Sequence, residues 1–160
     1  MRSRLAAVIG FAALLVTVSA TPASATTNTI SIGSNATLSH RLLISVPVTV
    51  VCDPLTDTFI DTSVSVNVQQ ANGKQIATAT GQLFSRSTNF LTCDGVTLNH
   101  VVVQATPNAG SPPFHGGPAF ATASFSVEYG INPLFPGCGC FQVTNSDSGS
   151  SLITQVSFGG

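Results

Sequence analysis

Apolar and polar residues alternate with a period of two through most of the chain after residue 25, and helical spacing is hard to find there. The clearest example is residues 59–69, where Ile60, Val64 and Val68 share one parity and aspartate, serine, asparagine and glutamine take the other. Successive side chains of a strand point to opposite faces, so this pattern is typical of a half-buried strand. Six strands are predicted, at residues 29–38, 42–51, 59–69, 74–84, 96–105 and 119–128, and residues 152–158 offer a seventh.

Turn-forming residues separate these segments at the spacing expected of an all-β domain. Asn72 and Gly73 predict a hairpin between the third and fourth strands, with both residues at the centre of the turn because both central positions need positive φ. Pro47 cannot donate a ladder hydrogen bond, so it predicts an edge or a bulge in the second strand. Residues 106–118 are predicted to form a Pro/Gly-rich loop, and residues 132–151 a loop or a mobile tail.

Strand number and turn spacing favour one all-β domain, an immunoglobulin-like Greek-key sandwich of six or seven strands. A small β-barrel is the alternative, because strand count and alternation serve both architectures. The sandwich is assigned to residues 26–130, and residues 131–160 are interpreted as a Gly/Ser-rich C-terminal segment with the last strand.

The N-terminus has the pattern of a secretory signal peptide over residues 1–25. Arg2 and Arg4 precede an uncharged run over residues 5–20, and small residues follow at Ala23 and Ala25. The run is short for a bilayer span, and no later run reaches about 18 apolar residues. We therefore expect a secreted, extracellular product that is not membrane-bound after cleavage.

The charge balance of the predicted mature chain argues against nucleic acid as a partner. Its only cations are Arg41, Lys74 and Arg86, against six acidic residues, which gives a net charge of −3. Phosphate backbones need clustered cations, and none are present in this sequence. The many valines and ten phenylalanines indicate a folded chain rather than a disordered one, with a surface built from uncharged polar residues.

Four cysteines, all in the predicted exported part, make two disulfides the default. Cys52 follows the second predicted strand and Cys93 precedes the fifth, so both lie at one end of an up-and-down arrangement and are predicted to pair. Cys138 and Cys140 are left as a structural disulfide, formed directly or by exchange with the first pair. A metal or redox role for that pair is the alternative.

No catalytic residue, cofactor or metal ligand is predicted. No serine lies in a G-x-S-x-G elbow, and the three histidines have no metal-ligand spacing around them. Asp53, Asp57, Asp61 and Asp94 are interpreted as turn-capping residues, and a calcium loop formed by them is the alternative.

Phe114 and His115 lie between turn formers in the string PPFHGGP and are a candidate binding loop. The alternative is a packed connection in which Phe114 plugs one end of the domain. Asn35 begins a sequon for N-glycosylation, a frequent chance match that depends on the host.

Several strings resemble a group of small secreted bacterial immunoglobulin-like proteins without a known activity. They are VPVTVVC at residues 46–52, VQQANG at 68–73, TCDG at 92–95 and PFHGGPA at 113–119. This resemblance covers residues 42–127 and implies export and fold, with nothing catalytic. In size, class and the ending at residues 140–158, the chain is also similar to the enediyne-carrying apoproteins, which implies a ligand cleft but carries over no binding residue.

The leading hypothesis is a monomeric, non-enzymatic extracellular module that binds a protein or a surface ligand. A small-molecule carrier is the alternative, and a secreted hydrolase is the third. An apolar pocket between sheets would favour carriage, and flat faces with one apolar patch would favour surface contact. A serine or carboxylate within hydrogen-bond reach of a histidine in a cleft would favour the hydrolase.

Overall fold

A computed structural model describes residues 27–55, 60–86, 90–131 and 141–159. The predicted signal peptide, Asp57, Cys138 and Cys140 lie outside the described residues. Within them the chain is all β and has no helix, so no helix among them is suited to crossing a membrane. The eight strands are β1 (Thr29–Ile32), β2 (Asn35–Ser39), β3 (Leu43–Val51), β4 (Ile60–Asn72), β5 (Gln75–Ser85), β6 (Asn99–Pro107), β7 (Gly117–Ile131) and β8 (Phe141–Phe158).

Seven of these strands close into a barrel. The hydrogen-bonded order is β3-β2-β8-β7-β4-β5-β6, and β6 returns to β3 over a register from Ile44↔Ala105 to Val50↔Asn99. All pairings are antiparallel except that of β2 with β8, which is parallel. The all-β prediction is confirmed, and the strand pairings match the barrel that the sequence left as the alternative.

The first predicted strand is divided in two where it runs along β3. β1 pairs with the end of β3, as in Ile32↔Val48, and β2 pairs with its beginning. Between them the Gly33 N–H donates to the Pro47 carbonyl at 2.8 Å. The predicted irregularity at Pro47 is found as a break in one ladder: Pro47 pairs with Val102 of β6, but the β1 and β2 ladders stop at Val48 and Ser45. The proline is tolerated because its missing N–H faces the break between β1 and β2.

The predicted hairpin between β4 and β5 is confirmed, but its turn is centred one residue later. Asn72 still pairs with Gln75, so Gly73 and Lys74 are the two central residues. Of these only Gly73 has positive φ, at 62°, which is the pattern of a turn with glycine at its first central position. Asn72 therefore stays in the strand, and its amide donates to the Pro113 carbonyl at 2.9 Å.

The loop predicted over residues 132–151 is wrong for its second half, because β8 begins at Phe141. β8 pairs with β7 through the Ser/Gly-rich stretch, as in Ser126↔Ser146 and Ala121↔Ser151. Its serines lie largely on the outer face, where small polar residues meet water without harming the core. β8 pairs with both β7 and β2 and so belongs to the same sheet as the strands before it.

The core follows the predicted alternation closely. Thr62, Val64, Val66 and Val68 of β4 are all buried, as are the inward residues of β3 from Ile44 to Val50. Leu42, the first residue of the strand predicted over residues 42–51, lies before β3 and is 69% exposed. It follows a tight turn in which His40 and Arg41 both have positive φ, so the alternation of β3 begins only after it.

The predicted pairing of Cys52 with Cys93 is confirmed, with the two Cα atoms 4.7 Å apart. The Gly95 N–H donates to the Cys52 carbonyl at 2.9 Å, and the buried Asn99 ties the same loop to β3. The Asn99 amide donates to the Val50 and Thr92 carbonyls, and its oxygen accepts from the Thr92 N–H. The loop after residue 90 is thus fixed to β3 by sulfur and by one buried amide.

Candidate functional site

A trough lies on the outer face of β5, β4, β7 and β8. Its volume is about 820 Å³, and hydroxyl and amide groups share its lining with apolar atoms in similar proportion. The lining residues are Ser65, Val66, Asn67, Thr80, Gly81, Gln82, Thr122, Ala123, Ser124, Ser148, Gly149 and Ser150. None of them carries a charge.

Strand register aligns the outward side chains of the trough in two rows that cross all four strands. The first row is Gln82, Ser65, Ser124 and Ser148, and the second is Thr80, Asn67, Thr122 and Ser150. Neighbouring strands lie about 4.8 Å apart, so side chains within a row are direct neighbours. Eight uncharged polar groups therefore converge on one surface.

Small inward residues explain why this surface is concave. Between the two polar rows runs an inward row made of Gly81, Val66, Ala123 and Gly149. A Cβ at Gly81 would lie 2.2 Å from the Gln104 carbonyl oxygen of β6, and one at Gly149 would lie 3.0 Å from the carbonyl oxygen of Ile30. Because the glycines let the opposite strands approach this closely, the sheet bends inward at this row.

Hydrogen bonds within the trough hold some of its side chains and leave one atom unsatisfied. The hydroxyls of Ser65 and Ser124 are 2.8 Å apart, and Thr80 donates to Asn108 at 2.9 Å. Among the described residues, Asn67 Oδ1 is the buried side-chain polar atom that has no hydrogen-bond partner. A buried acceptor without a donor is costly, and such exceptions occur where a ligand or water completes the site.

Exposed aromatic and aliphatic side chains lie at both ends of the trough. Phe84 pairs with Ser63 one row beyond the first polar row, and it is 52% exposed, with the Arg86 guanidinium 5.8 Å from its ring centroid. At the other end Phe120 and Leu152 are register partners, 44% and 58% exposed. The polar centre thus lies between two apolar ends.

The predicted binding loop lies beside the end of β4. Phe114 is buried and packs in the core cluster, as the plug alternative describes, so it is not available to a ligand. His115 is exposed, and its ring nitrogens lie 2.7 Å from the Gly116 carbonyl oxygen and 3.0 Å from that of Ala71. The structure thus leaves only His115 of the two residues at the surface, and binding there stays a prediction.

Gln70 fixes this loop and was not singled out from the sequence. Its side chain is buried, its oxygen accepts from the His115 N–H at 2.9 Å, and its amide donates to the carbonyls of His115 and Pro118. The Gln70 amide thus makes the hydrogen bonds to the loop that the peptide groups of a neighbouring strand would otherwise make. The sequence could have indicated its burial, because the alternation of β4 places residue 70 on the inward face with Val66 and Val68.

Replacing Gln70 by leucine is expected to destabilise the protein by about 2 kcal/mol, because three backbone groups of the loop lose their partner. Water can hydrogen-bond to some of these backbone groups in the variant, since His115 and Pro118 are exposed, and this reduces the loss of stability. Urea denaturation measures the change. Asn72→Ala, which removes one exposed bond to the same loop, is the control and should cost less than about 1 kcal/mol. Equal effects of the two variants would contradict the role given to Gln70.

The described acidic residues of the calcium hypothesis cap turns or lie apart. Asp53 accepts hydrogen bonds from the hydroxyl and N–H of Thr27, which lower the pKa of its carboxyl. The Thr97 hydroxyl lowers the pKa of Asp94 most, with the N–H groups of Thr97 and Val96 adding to the effect. Across residues 27–55, 60–86, 90–131 and 141–159, no three His, Cys, Asp or Glu side chains are grouped to hold a metal.

The cap at Asp94 predicts a specific loss of stability in acid. Its folded-state pKa is lowered, so its contribution is present above the ordinary carboxyl value of 3.8 and is lost as pH falls below it. Between about pH 5 and about pH 2, the urea midpoint of the wild type should fall more steeply than that of Asp94→Asn, which keeps a capping oxygen without titrating. Parallel curves would show that Asp94 does not contribute.

One hydroxyl–histidine pair lies outside the trough. Thr49 Oγ1 is 3.0 Å from His100 Nδ1, on register partners of β3 and β6. His100 is exposed, and the pair lies on an open strand surface rather than in the cleft that a hydrolase would use.

Comparison with protein-family models, with curated proteins and with solved structures finds no match for this chain. The two resemblances drawn from the sequence therefore stay predictions.

Proposed function

We propose that the protein is an exported, non-enzymatic extracellular binding protein whose trough holds an uncharged polar ligand. The observation that supports this most directly is the double row of hydroxyl and amide side chains around the unsatisfied Asn67 oxygen. A binding site is expected to be concave and to present a few convergent polar groups, and the trough does both.

Carriage of a small molecule is the second candidate. The volume of about 820 Å³ is in the range of small-molecule sites. The polar lining and the position on the outer face favour a ligand that stays largely hydrated over an apolar chromophore enclosed between sheets. We therefore rank contact with a polar extracellular surface first.

Export and a sandwich-like shape belong to the same proposal. A disulfide persists in oxidising compartments, which supports the signal peptide interpretation of residues 1–25. The barrel closes weakly between β5 and β6, through only Ala79↔Pro107 and Thr80↔Thr106. We propose that β1, β3 and β6 form one layer and the remaining strands another, as in an immunoglobulin-like sandwich.

Cosedimentation of the oxidised chain from residue 26 with insoluble envelope material of the producing organism tests the proposed function. Thr122 is exposed at the centre of the trough, so Thr122→Tyr fills the trough without entering the core. We expect retention to fall roughly tenfold, about 1.4 kcal/mol. Val102→Tyr, an exposed position on β6 opposite Pro47, is the matched control and should retain binding. Equal retention of both variants would overturn the proposal.

A further inference from the structure

We propose that the ligand of the trough is a neutral carbohydrate chain, which lies along the strands with its hydroxyls on the polar rows and its ring faces on Phe84 and Phe120. This inference rests on the proposed function and names its ligand class. Three features support this ligand class. They are the hydroxyl and amide side chains of the lining, the pairing of β4 and β7 with neighbouring strands on both sides, and the exposed apolar side chains at the two ends of the trough.

The polar side chains of the lining can donate and accept hydrogen bonds, as sugar hydroxyls can. Serine and threonine hydroxyls and the amides of Asn67 and Gln82 each offer both donors and acceptors, as sugar hydroxyls do. Asn67 Oδ1 is buried without a partner, and rotation of this side chain toward the trough would let a sugar O–H supply the missing donor. With no charged group in the lining, the trough has nothing that would prefer an ionised ligand.

Other ligand classes fit the same surface poorly. An extended peptide binds by adding a strand to a free edge, but β4 and β7 at the centre of the trough are paired on both sides. Phosphate-bearing ligands need lysine or arginine, and the lining contains neither. Asp61, Glu128 and Arg86 lie beyond the Ser63–Ser126 row and are of mixed sign, so the charge at this end of the trough does not select an ionised ligand.

The two phenylalanines set the direction and the length of the ligand. Phe84 is in register with Ser63, and Phe120 with Gln69, so the rings are six residues apart along β4, or about 20 Å. Both rings are partly exposed on the outer face. Sugars pack their C–H faces on aromatic rings, so a chain that reaches both ends is favoured over a mono- or disaccharide.

Affinity electrophoresis in native gels tests the assignment. The probes are soluble β-1,4-, β-1,3- and α-1,4-linked glucans and a galactomannan, with polygalacturonate as the acidic comparison. We expect at least one neutral polymer to retard the wild type more than polygalacturonate does. Asn67→Ala and Phe120→Ala should each weaken that retardation about fivefold. Asn35→Ala and Val102→Ala, an exposed amide on β2 and an exposed apolar residue on β6, are the matched controls and should behave as wild type.

The outcomes separate this inference from the proposed function. If no neutral polymer retards the wild type, while Thr122→Tyr still abolishes retention on envelope material, the carbohydrate assignment is wrong and the binding function stands. If a neutral polymer retards all variants equally, the sugar binds elsewhere and the inference is wrong. If trough variants alter neither assay, both proposals are wrong. Thermal midpoints of Asn67→Ala and Phe120→Ala near the wild-type value exclude misfolding as the cause.

Discussion

Gly81→Ala is expected to destabilise the protein by about 3 kcal/mol and to weaken ligand binding at the same time. The added methyl would lie 2.2 Å from the Gln104 carbonyl oxygen and 2.8 Å from Ala105 Cα, both of which belong to backbone that cannot rotate away. β5 must therefore move off β6, where only two residue pairs hold the two strands together. Urea denaturation measures the change in stability. Affinity electrophoresis measures ligand binding, which should weaken because the trough changes shape.

Gly149→Ala is the matched control, because Gly149 lies in the same inward row at the opposite side of the trough. Its methyl would lie 3.0 Å from the carbonyl oxygen of Ile30, a contact relieved by a shift of a few tenths of an ångström. We expect a loss of about 1 kcal/mol. Alanine is otherwise favoured over glycine in a strand. A larger loss of unfolding free energy at Gly81 than at Gly149 would therefore be due to the close approach of the β6 backbone to Gly81. Similar losses at both sites would contradict the bending mechanism.

The strands could be predicted from the sequence because burial on one face imposes a period of two. In β4 the inward residues Thr62, Val64, Val66 and Val68 are buried as the pattern requires. Single strands carry this signal by themselves, so β3 to β7 can be predicted without knowledge of their neighbours. The division between β1 and β2 was missed because it depends on the contact between Gly33 and Pro47, which no local pattern reveals.

The trough could not be predicted, because it exists only in the register between strands. The sequence shows a polar face on β4, but it does not show that Ser65 lies beside Ser124 and that Ser124 lies beside Ser148. The sequence also predicts a loop over residues 132–151, since serine and glycine are common in turns, but residues 148–150 lie in β8. In the structure the same residues supply one wall of the candidate site.

Removing the Cys52–Cys93 bond with the double variant Cys52→Ala/Cys93→Ala is expected to lower the free energy of unfolding by about 4 kcal/mol. The bond closes a loop between residues 41 positions apart, and in the chain-entropy model that constraint acts mainly on the unfolded chain. The folded state should survive, because Asn99 and the Gly95 N–H also hold this loop to the end of β3. Guanidinium denaturation of the oxidised wild type and the double variant measures the difference.

The double variant Cys138→Ala/Cys140→Ala is the control that tests the pairing itself. A bond between these two cysteines closes a loop of only three residues, so its loss should cost less than about 2 kcal/mol. If the two double variants were equally destabilised, the cysteines would be paired across the two sets in solution. The assignment of a disulfide between Cys52 and Cys93 would then be wrong. A large difference in the predicted order, with no thiol labelling of the native wild type, supports the pairing because only a long loop confers so large a constraint.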